Sequence, residues 1–261
     1  MDLVKHKRPP SRLTHPPELR VLGPVAIPGV GERLIRVCIP HGAHRAGARP
    51  PLLFMWDGQN IFDDAPSFAG GWHLHTAVAR RAQRRRTAPV IVGLDHGGAR
   101  RLGELNPFMP KGQGCFEPLL AHLCDTLIPQ LSRELNLAEG PGQRVVGGSS
   151  LGGLASLAAH LGRPDVFGGA WAMSPSLFAG RWGIFRSVSA RPKPWRTRIY
   201  LDAGGREAGG HLVHAGQRLK AHLHAHGWQG DEVLWHVTKS GAHNERHWRR
   251  RSPRALRFFY G

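Results

Sequence analysis

A serine between two glycines is the first group in this chain whose setting predicts chemistry. Residues Gly148 to Gly152 read Gly-Ser-Ser-Leu-Gly and match the pattern Gly-x-Ser-x-Gly, with Ser150 at its centre. The pattern describes a serine on a sharp turn between a strand and a helix, so that its hydroxyl projects from the sheet. Such a turn brings the residues two before and two after the serine together, which leaves room only for glycine. Ser150 is therefore a candidate nucleophile for acyl transfer.

A base and an acid follow Ser150 further along the chain. His243 stands in the segment Thr-Lys-Ser-Gly-Ala-His-Asn-Glu, and two carboxylates, Asp202 and Glu207, precede it. His243 would accept the proton of Ser150, and a carboxylate would orient the imidazole and stabilise its cation. We favour Glu207 because it lies in a loop after two glycines that let the chain turn back, with Asp202 as the alternative. The order serine, acid, histidine is that of α/β-hydrolases.

Acyl transfer also needs donors for the oxyanion that develops on the substrate. The backbone N–H of Leu151, directly after the nucleophile, is one predicted donor. The other is the backbone N–H of Gln59, in the segment Asp57-Gly-Gln-Asn that follows an apolar run. Asp57-Gly58 is equally compatible with a plain tight turn.

The elements that would position these groups alternate between strand and helix. Short apolar runs bounded by turn residues are typical of strands that are buried on both faces of a parallel sheet. The predicted strands cover 19–27, 33–39, 52–56, 88–94, 144–147, 169–173, 198–201 and 231–237. The predicted helices cover 72–85, 116–135, 151–161, 212–226 and 245–259. We therefore predict an α/β-hydrolase fold: a mostly parallel central sheet with helices on both faces and an antiparallel N-terminal strand pair.

The composition limits the classes of protein. The 261 residues suffice for one domain, predicted over 20–261 after a flexible basic N-terminal segment over 1–19. We expect a cytoplasmic chain, because the N-terminus has no apolar signal region and no run could span a membrane. The three cysteines favour reduced thiols rather than a disulfide framework. No cofactor is expected, and no metal site, because no carboxylate or cysteine joins the histidines between 211 and 226.

The charge is strongly positive, with 36 lysines and arginines against 18 acidic residues and a formal net charge of +18. Nucleic acid is nevertheless a disfavoured partner, because the basic residues do not interleave with aromatic residues in a known binding module. The field could instead attract anionic substrates. An inactive hydrolase fold that binds nucleic acid or an acidic partner is the alternative outside the enzymes.

Five segments together resemble the Putative esterase family of α/β-hydrolases. This family includes enterochelin esterases, S-formylglutathione hydrolases, feruloyl esterases and mycolyltransferases. The segments are Phe54-Met-Trp-Asp-Gly-Gln-Asn-Ile-Phe62, Val90-Ile-Val-Gly-Leu-Asp-His-Gly97, Gly148-Ser-Ser-Leu-Gly-Gly-Leu154, Met173-Ser-Pro-Ser176 and Gly241-Ala-His-Asn-Glu245. The resemblance runs from about residue 33 to residue 260 and implies the same nucleophile, base, acid and oxyanion donors.

The resemblance also concerns the substrate side of the site. The segment Arg101-Leu-Gly-Glu104 resembles an Arg-x-x-Glu motif that often lies near the substrate pocket, and Trp72 could line an acyl pocket or pack in the core. The N-terminal domain of the enterochelin esterases has no counterpart here, which weakens a siderophore assignment. We therefore predict a serine carboxylic-ester hydrolase that acts on a small-molecule ester. A siderophore-type or other anionic ester is the alternative substrate, and the oligomeric state is left open.

Overall fold

A computed structural model of the chain describes residues 13–65, 67 and 69–261. Of the segment predicted to be flexible, residues 1–12 lie outside the described residues. The first strand begins at Glu18, two residues before the predicted start of the domain.

Eight strands of the described chain form one sheet. They are β1 (Glu18–Ile27), β2 (Gly31–Ile39), β3 (Leu52–Trp56), β4 (Val90–Leu94), β5 (Arg144–Ser149), β6 (Gly169–Met173), β7 (Arg198–Gly204) and β8 (Val233–Thr238). The order across the sheet is β1-β2-β4-β3-β5-β6-β7-β8. The pairs β1–β2 and β2–β4 are antiparallel, and every neighbouring pair from β4 to β8 is parallel. The prediction of a mostly parallel sheet with an antiparallel N-terminal pair is confirmed.

Eight α-helices connect or follow these strands in the described residues. They are α1 (Leu74–Gln83), α2 (Arg101–Leu105), α3 (Phe116–His122), α4 (Ile128–Glu134), α5 (Leu151–Gly162), α6 (Ala179–Ala190), α7 (His211–Ala225) and α8 (Glu245–Tyr260). The single helix predicted over 116–135 is instead α3 and α4 joined by a π-helical turn over 123–127. Pro129 has no N–H to continue the regular ladder at that point.

Helix α6 was not predicted, and its sequence explains why. Gly180 and Gly183 weaken a helical pattern, yet a Cβ at either position would come within 2.3 Å of the Phe108 ring atoms or its Cβ. The glycines therefore let Phe108 pack against α6, which is a tertiary contact that no local pattern reveals.

The two faces of the sheet are covered by different helices. Helices α1 and α8 contribute to one apolar cluster, which includes Met55, Trp171 and Tyr200 from the strands. Helices α3, α4 and α5 cover part of the opposite face, and α6 and α7 cover the rest. Because β3 to β8 run parallel, their carboxyl ends lie at one edge of the sheet, where the following loops meet.

Two further features concern the described residues as a whole. None of their helices is both long enough and apolar enough to cross a membrane. They contain no group of three or more histidines, cysteines and carboxylates that could hold a metal ion.

Candidate active site

Ser150 occupies the turn between β5 and α5 in a strained backbone conformation. Its φ of 56° and ψ of −120° lie in a region that L-residues rarely adopt. A Cβ on Gly148 would come 2.7 Å from the carbonyl carbon of Gly152, which explains the glycines of the motif. The Ser150 N–H donates to the Met173 carbonyl at the end of β6, over 2.9 Å, and this bond ties the turn to the neighbouring strand.

The Ser150 hydroxyl is paired with a second serine. Its Oγ lies 3.1 Å from the Oγ of Ser176, and the Ser176 N–H donates to the Ser150 carbonyl over 3.0 Å. Within the described residues the Ser150 hydroxyl forms no hydrogen bond with His243. Ser176 belongs to one of the segments that carry the family resemblance, but the sequence suggested no role for it.

His243 lies in the loop between β8 and α8 and contacts the predicted acid. Its Nδ1 is 3.4 Å from the Oε2 of Glu207, and its side chain is 39% exposed, so that the rest of the ring can reach a substrate. The edge of its ring faces Trp248, with ring centroids 5.0 Å apart. A Cβ on Gly204 would come 2.5 Å from the Gly241 carbonyl group, so glycines allow the loops after β7 and β8 to touch.

Glu207 is buried, and both of its carboxylate oxygens have hydrogen-bond partners. Its Oε1 accepts hydrogen bonds from the Ser174 hydroxyl (2.9 Å) and from Arg251 Nη2 (3.1 Å), while Oε2 faces His243. Burial alone would raise the pKa of this carboxyl. The hydrogen bond to His243, the charge of Arg251 and the hydrogen bond from Ser174 outweigh burial and hold the pKa below its usual value. Glu207 is therefore an ionised partner for the imidazole.

Asp202 has a different environment. It lies within β7, which extends three residues beyond the strand predicted there, and its side chain is completely buried. Its carboxylate accepts hydrogen bonds from the Tyr200 hydroxyl (3.2 Å) and from the Ser174 N–H (3.3 Å). Burial raises the pKa of Asp202 to about 7, although Arg251 acts in the opposite direction. Glu207, and not Asp202, is the carboxylate that forms a hydrogen bond with His243.

Arg251 contacts both carboxylates. It lies on α8 and is 4% exposed, with Nη2 on Glu207 and Nη1 3.1 Å from Asp202 Oδ1. The approach to Asp202 is an ion pair without an aligned hydrogen bond, because Nη1 and Nε have no hydrogen-bond partner in the described residues. The Ser174 hydroxyl accepts from Arg251 Nη2 (2.9 Å) and from Trp248 Nε1 (3.1 Å). We call Arg251, Ser174, Asp202 and Glu207 the buried charge cluster.

Sequence reasoning missed Arg251 and Ser174 as parts of the site. In the sequence, Arg251 is the last of three consecutive arginines, a pattern that by itself indicates only a basic run. The signal that could have found it is the helical pattern of α8, in which Trp248, Arg251, Ser252 and Ala255 share the buried face.

The predicted oxyanion donors lie at the starts of two helical turns. Gln59 belongs to a 3₁₀ turn over 58–60, and Leu151 is the first residue of α5, so neither N–H has an acceptor within its own turn. Asp57 precedes the first turn with a left-handed φ of 57°. A Cβ on Gly152 would come 3.0 Å from Asp57 Oδ2, so the loop after β3 lies against the start of α5.

The three residues predicted on the substrate side occupy different environments. Arg101 donates to both Asp57 oxygens, over 2.6 Å and 2.7 Å, and remains 26% exposed beside the loop of Gln59. Glu104 is 1% exposed and is held by Arg33 and by the Gly97 N–H, contacts that favour a structural role.

Trp72 is 2% exposed, and its ring lies between those of Trp171 and Trp248, at centroid distances of 6.4 Å and 5.8 Å. Its backbone N–H donates to the Asn60 carbonyl over 2.9 Å. Trp72 therefore packs behind the loop of Gln59 in the core of this face.

A strained serine between a parallel strand and a helix, with loops gathered at the carboxyl edge of the sheet, defines an α/β-hydrolase esterase fold. Residues 31–259 match the family model described as Putative esterase, and the chain belongs to that family. This membership makes it a carboxylic-ester hydrolase.

Three comparisons illustrate the breadth of the similarity. The uncharacterized protein YbbA of Bacillus subtilis is 22% identical over 245 residues, which cover 88% of this chain and 94% of that protein. An enterobactin esterase of Shigella flexneri shares the fold with a TM-score of 0.73 and 20% identity. That match covers 94% of this chain, and the chain spans only 59% of the length of the Shigella protein. The siderophore hydrolase EstB of Aspergillus nidulans has a TM-score of 0.72 and 18% identity, over 98% of this chain and 97% of its own.

Proposed function

We propose that the protein is a serine esterase that works through an acyl-enzyme intermediate, with Ser150 as nucleophile, His243 as base and Glu207 as acid. One observation carries the proposal. A continuous set of contacts leads from Ser150 to Ser176, through the same loop to Ser174, and from Ser174 through Glu207 to His243. The nucleophile, the acid and the base are thus attached to one buried framework.

The proposed reaction has two halves. The Ser150 hydroxyl turns from Ser176 towards His243, and its oxygen attacks the ester carbonyl carbon while His243 Nε2 takes the proton. The N–H groups of Gln59 and Leu151 stabilise the oxyanion. When the tetrahedral intermediate collapses, the alkoxide leaves with the proton of His243, and Ser150 carries the acyl group.

Water completes the second half. His243 takes a proton from water as the water oxygen attacks the acyl carbon, and the proton returns to Ser150 Oγ when the carboxylic acid is released. The ionised Glu207 holds the imidazole by Nδ1 and stabilises its cation in both halves.

The substrate class has two candidates. The first is a small ester of unspecified acyl and alcohol groups. The second is a siderophore-type or other anionic ester, supported by the net charge of +18 and by the similarity to the Shigella enterobactin esterase and the Aspergillus siderophore hydrolase. A cytoplasmic location and a single domain over 20–261 belong to the same proposal, and nucleic acid is not among its expected partners.

The nucleophile is tested with a short-chain p-nitrophenyl ester. We expect Ser150→Ala to lower kcat/KM by about 10⁴-fold or more, because the covalent route is lost. Ser149→Ala is the matched control, since it removes the neighbouring hydroxyl and should retain most activity. Unchanged turnover in Ser150→Ala would overturn Ser150 as the nucleophile. No turnover and no labelling of the wild type by a fluorophosphonate, together with a salt-sensitive gel shift of DNA or RNA, would instead support an inactive binding module.

The acid is tested by two isosteric changes. Glu207→Gln should lower kcat by about 10³–10⁴-fold, because the histidine loses the carboxylate that orients it. Asp202→Asn should cost less than about tenfold, since that residue acts on His243 only through its neighbours. The reverse pattern would assign the acid to Asp202.

Equal turnover of neutral and acidic esters at low salt would exclude a preference for anionic substrates.

A further inference from the structure

A groove lined by arginines separates α1 from α8 on the face of the sheet away from α5. Its volume is about 430 Å³, and arginines are half of its 14 lining residues. Arg80 at the end of α1, with Arg84 and Arg86 just after it, forms one wall, and Arg249 and Arg257 of α8 form the other. We call this the arginine groove.

The arginine groove has no acidic side chain in its lining. No aspartate or glutamate lines it, and within the described residues none of its arginines forms an ion pair with an acidic side chain. Asp64, a nearby acid, is engaged by His73 Nε2 (2.8 Å) and by the Gly71 N–H (2.9 Å). The groove arginines therefore have no acidic side chain within ion-pair distance among the described residues, although the pKa of Asp64, lowered mainly by its hydrogen bond with His73, is also lowered by the charge of Arg249.

One of these arginines is fixed at the base of the groove. Arg81 is 9% exposed, and its guanidinium donates to main-chain oxygens of Thr87, Tyr260 and the last residue, Gly261, over 2.8–2.9 Å. Burial lowers the pKa of Arg81, and the charges of Arg86 and Arg257 lower it further. A bound anion would relieve this repulsion between like charges.

We propose that the arginine groove binds a small molecule that carries two or more phosphate groups. Arginine presents a planar fork of donors that matches phosphate oxygens in pairs, and here arginines of both α1 and α8 line one groove. The volume lies within the range of small-molecule pockets. A nucleic-acid strand would need exposed aromatic rings for its bases, whereas Trp72, the aromatic ring of the lining apart from His73, is buried.

The groove is distinct from the esterase site. The groove lining includes Trp72 but neither Trp248 nor His243; the ring of Trp72 packs against Trp248 (5.8 Å), and Trp248 in turn contacts His243 (5.0 Å). None of Ser150, Glu207 and His243 lines the groove. Binding in the groove therefore goes beyond the proposed ester hydrolysis and does not require Ser150.

The test is calorimetric titration of the full chain with inorganic tripolyphosphate at about 150 mM salt. We expect wild type and Ser150→Ala to bind with the same Kd. The double variant Arg80→Gln/Arg249→Gln should bind at least about tenfold more weakly, because it loses one fork from each wall. The control Arg85→Gln/Arg246→Gln removes two exposed charges from the same two segments, but neither residue lines the groove.

The two double variants distinguish a specific phosphate site from a diffuse positive field. If the Kd of the control changes by less than about threefold, and circular dichroism shows that both variants are folded, the groove is a specific binding site. The proposal is overturned if wild type does not bind tripolyphosphate, or if the two double variants lose affinity equally, as a diffuse field would require. It is also overturned if citrate or a single-stranded oligonucleotide binds as tightly as tripolyphosphate. Loss of esterase activity in Ser150→Ala with retained binding separates this proposal from the proposed function.

Discussion

Helix α8 carries arginines on two faces, and the two faces have opposite relations to charge. Arg251 points into the protein, where it contacts Asp202, Glu207 and Ser174 of the buried charge cluster. Arg249, two residues earlier, lines the arginine groove, whose lining has no acidic side chain. Two arginines of one helix thus differ in role: Arg251 is part of the buried structure, and Arg249 is proposed to bind a ligand. Burial and partners, rather than residue type, decide which role an arginine has.

Loss of Arg251 is the largest effect that this comparison predicts. Arg251→Met should lower the free energy of unfolding by about 3–5 kcal/mol, because the ionised Glu207 would remain buried without its cation. Urea unfolding at neutral pH measures it. Arg249→Met makes the same change in the groove and should cost less than about 0.5 kcal/mol. Equal losses would show that the two faces of α8 do not differ as described.

The pH dependence of Asp202 is the next effect. Its pKa is about 7 in the folded protein and about 3.9 in an unfolded chain, so the folded state binds the proton more tightly. Its contribution to stability is present below about pH 4 and is lost as the pH rises to about 7. Asp202→Asn removes this dependence.

The measurement compares urea unfolding of the wild type and Asp202→Asn between pH 4 and pH 8. The free energy of unfolding of the variant, relative to that of the wild type, should rise by on the order of 2–4 kcal/mol across this window. A difference that stays constant with pH would mean that Asp202 is ionised throughout, with Arg251 as its full counter-charge.

Ser174 tests whether the buried charge cluster depends on a neutral member. Ser174→Ala should lower the free energy of unfolding by about 1–3 kcal/mol, because Arg251 and Trp248 lose an acceptor and Glu207 loses a donor. Ser189→Ala, at an exposed position on α6, is the control and should be close to neutral. If both changes are neutral, water or a rearranged Arg251 replaces the hydroxyl.

The smallest effect concerns the groove itself. Arg249→Gln should raise the free energy of unfolding by a few tenths of a kcal/mol at low salt, since it relieves repulsion among unpaired arginines. The gain should vanish at about 1 M salt, where the Debye length is about 3 Å. Thermal unfolding at the two salt concentrations measures this. A loss of stability at low salt would reveal a carboxylate partner for Arg249.

Residues that belong to short local patterns were predictable. Ser150 was found because its glycine neighbours are required by the turn itself, and His243 and Glu207 were found because each follows a recognisable strand. Ser176 and Arg251 were not, because their partners lie 26 residues away in one case and 44 and 49 residues away in the other. Only the packing of the loop after β6 and of α8 brings these groups to the site.

The sequence by itself determined the alternation of strands and helices and the membership of an esterase family. It also predicted a nucleophile, an acid and a base in that order, because apolar periodicity and glycine positions act within a few residues. Tertiary structure alone decided which carboxylate meets His243, since Asp202 and Glu207 are five residues apart and only β7 and its loop direct them differently. It likewise decided which arginines of α8 are paired. Coulomb attraction and desolvation depend on neighbours in space, and those neighbours come from distant parts of the chain.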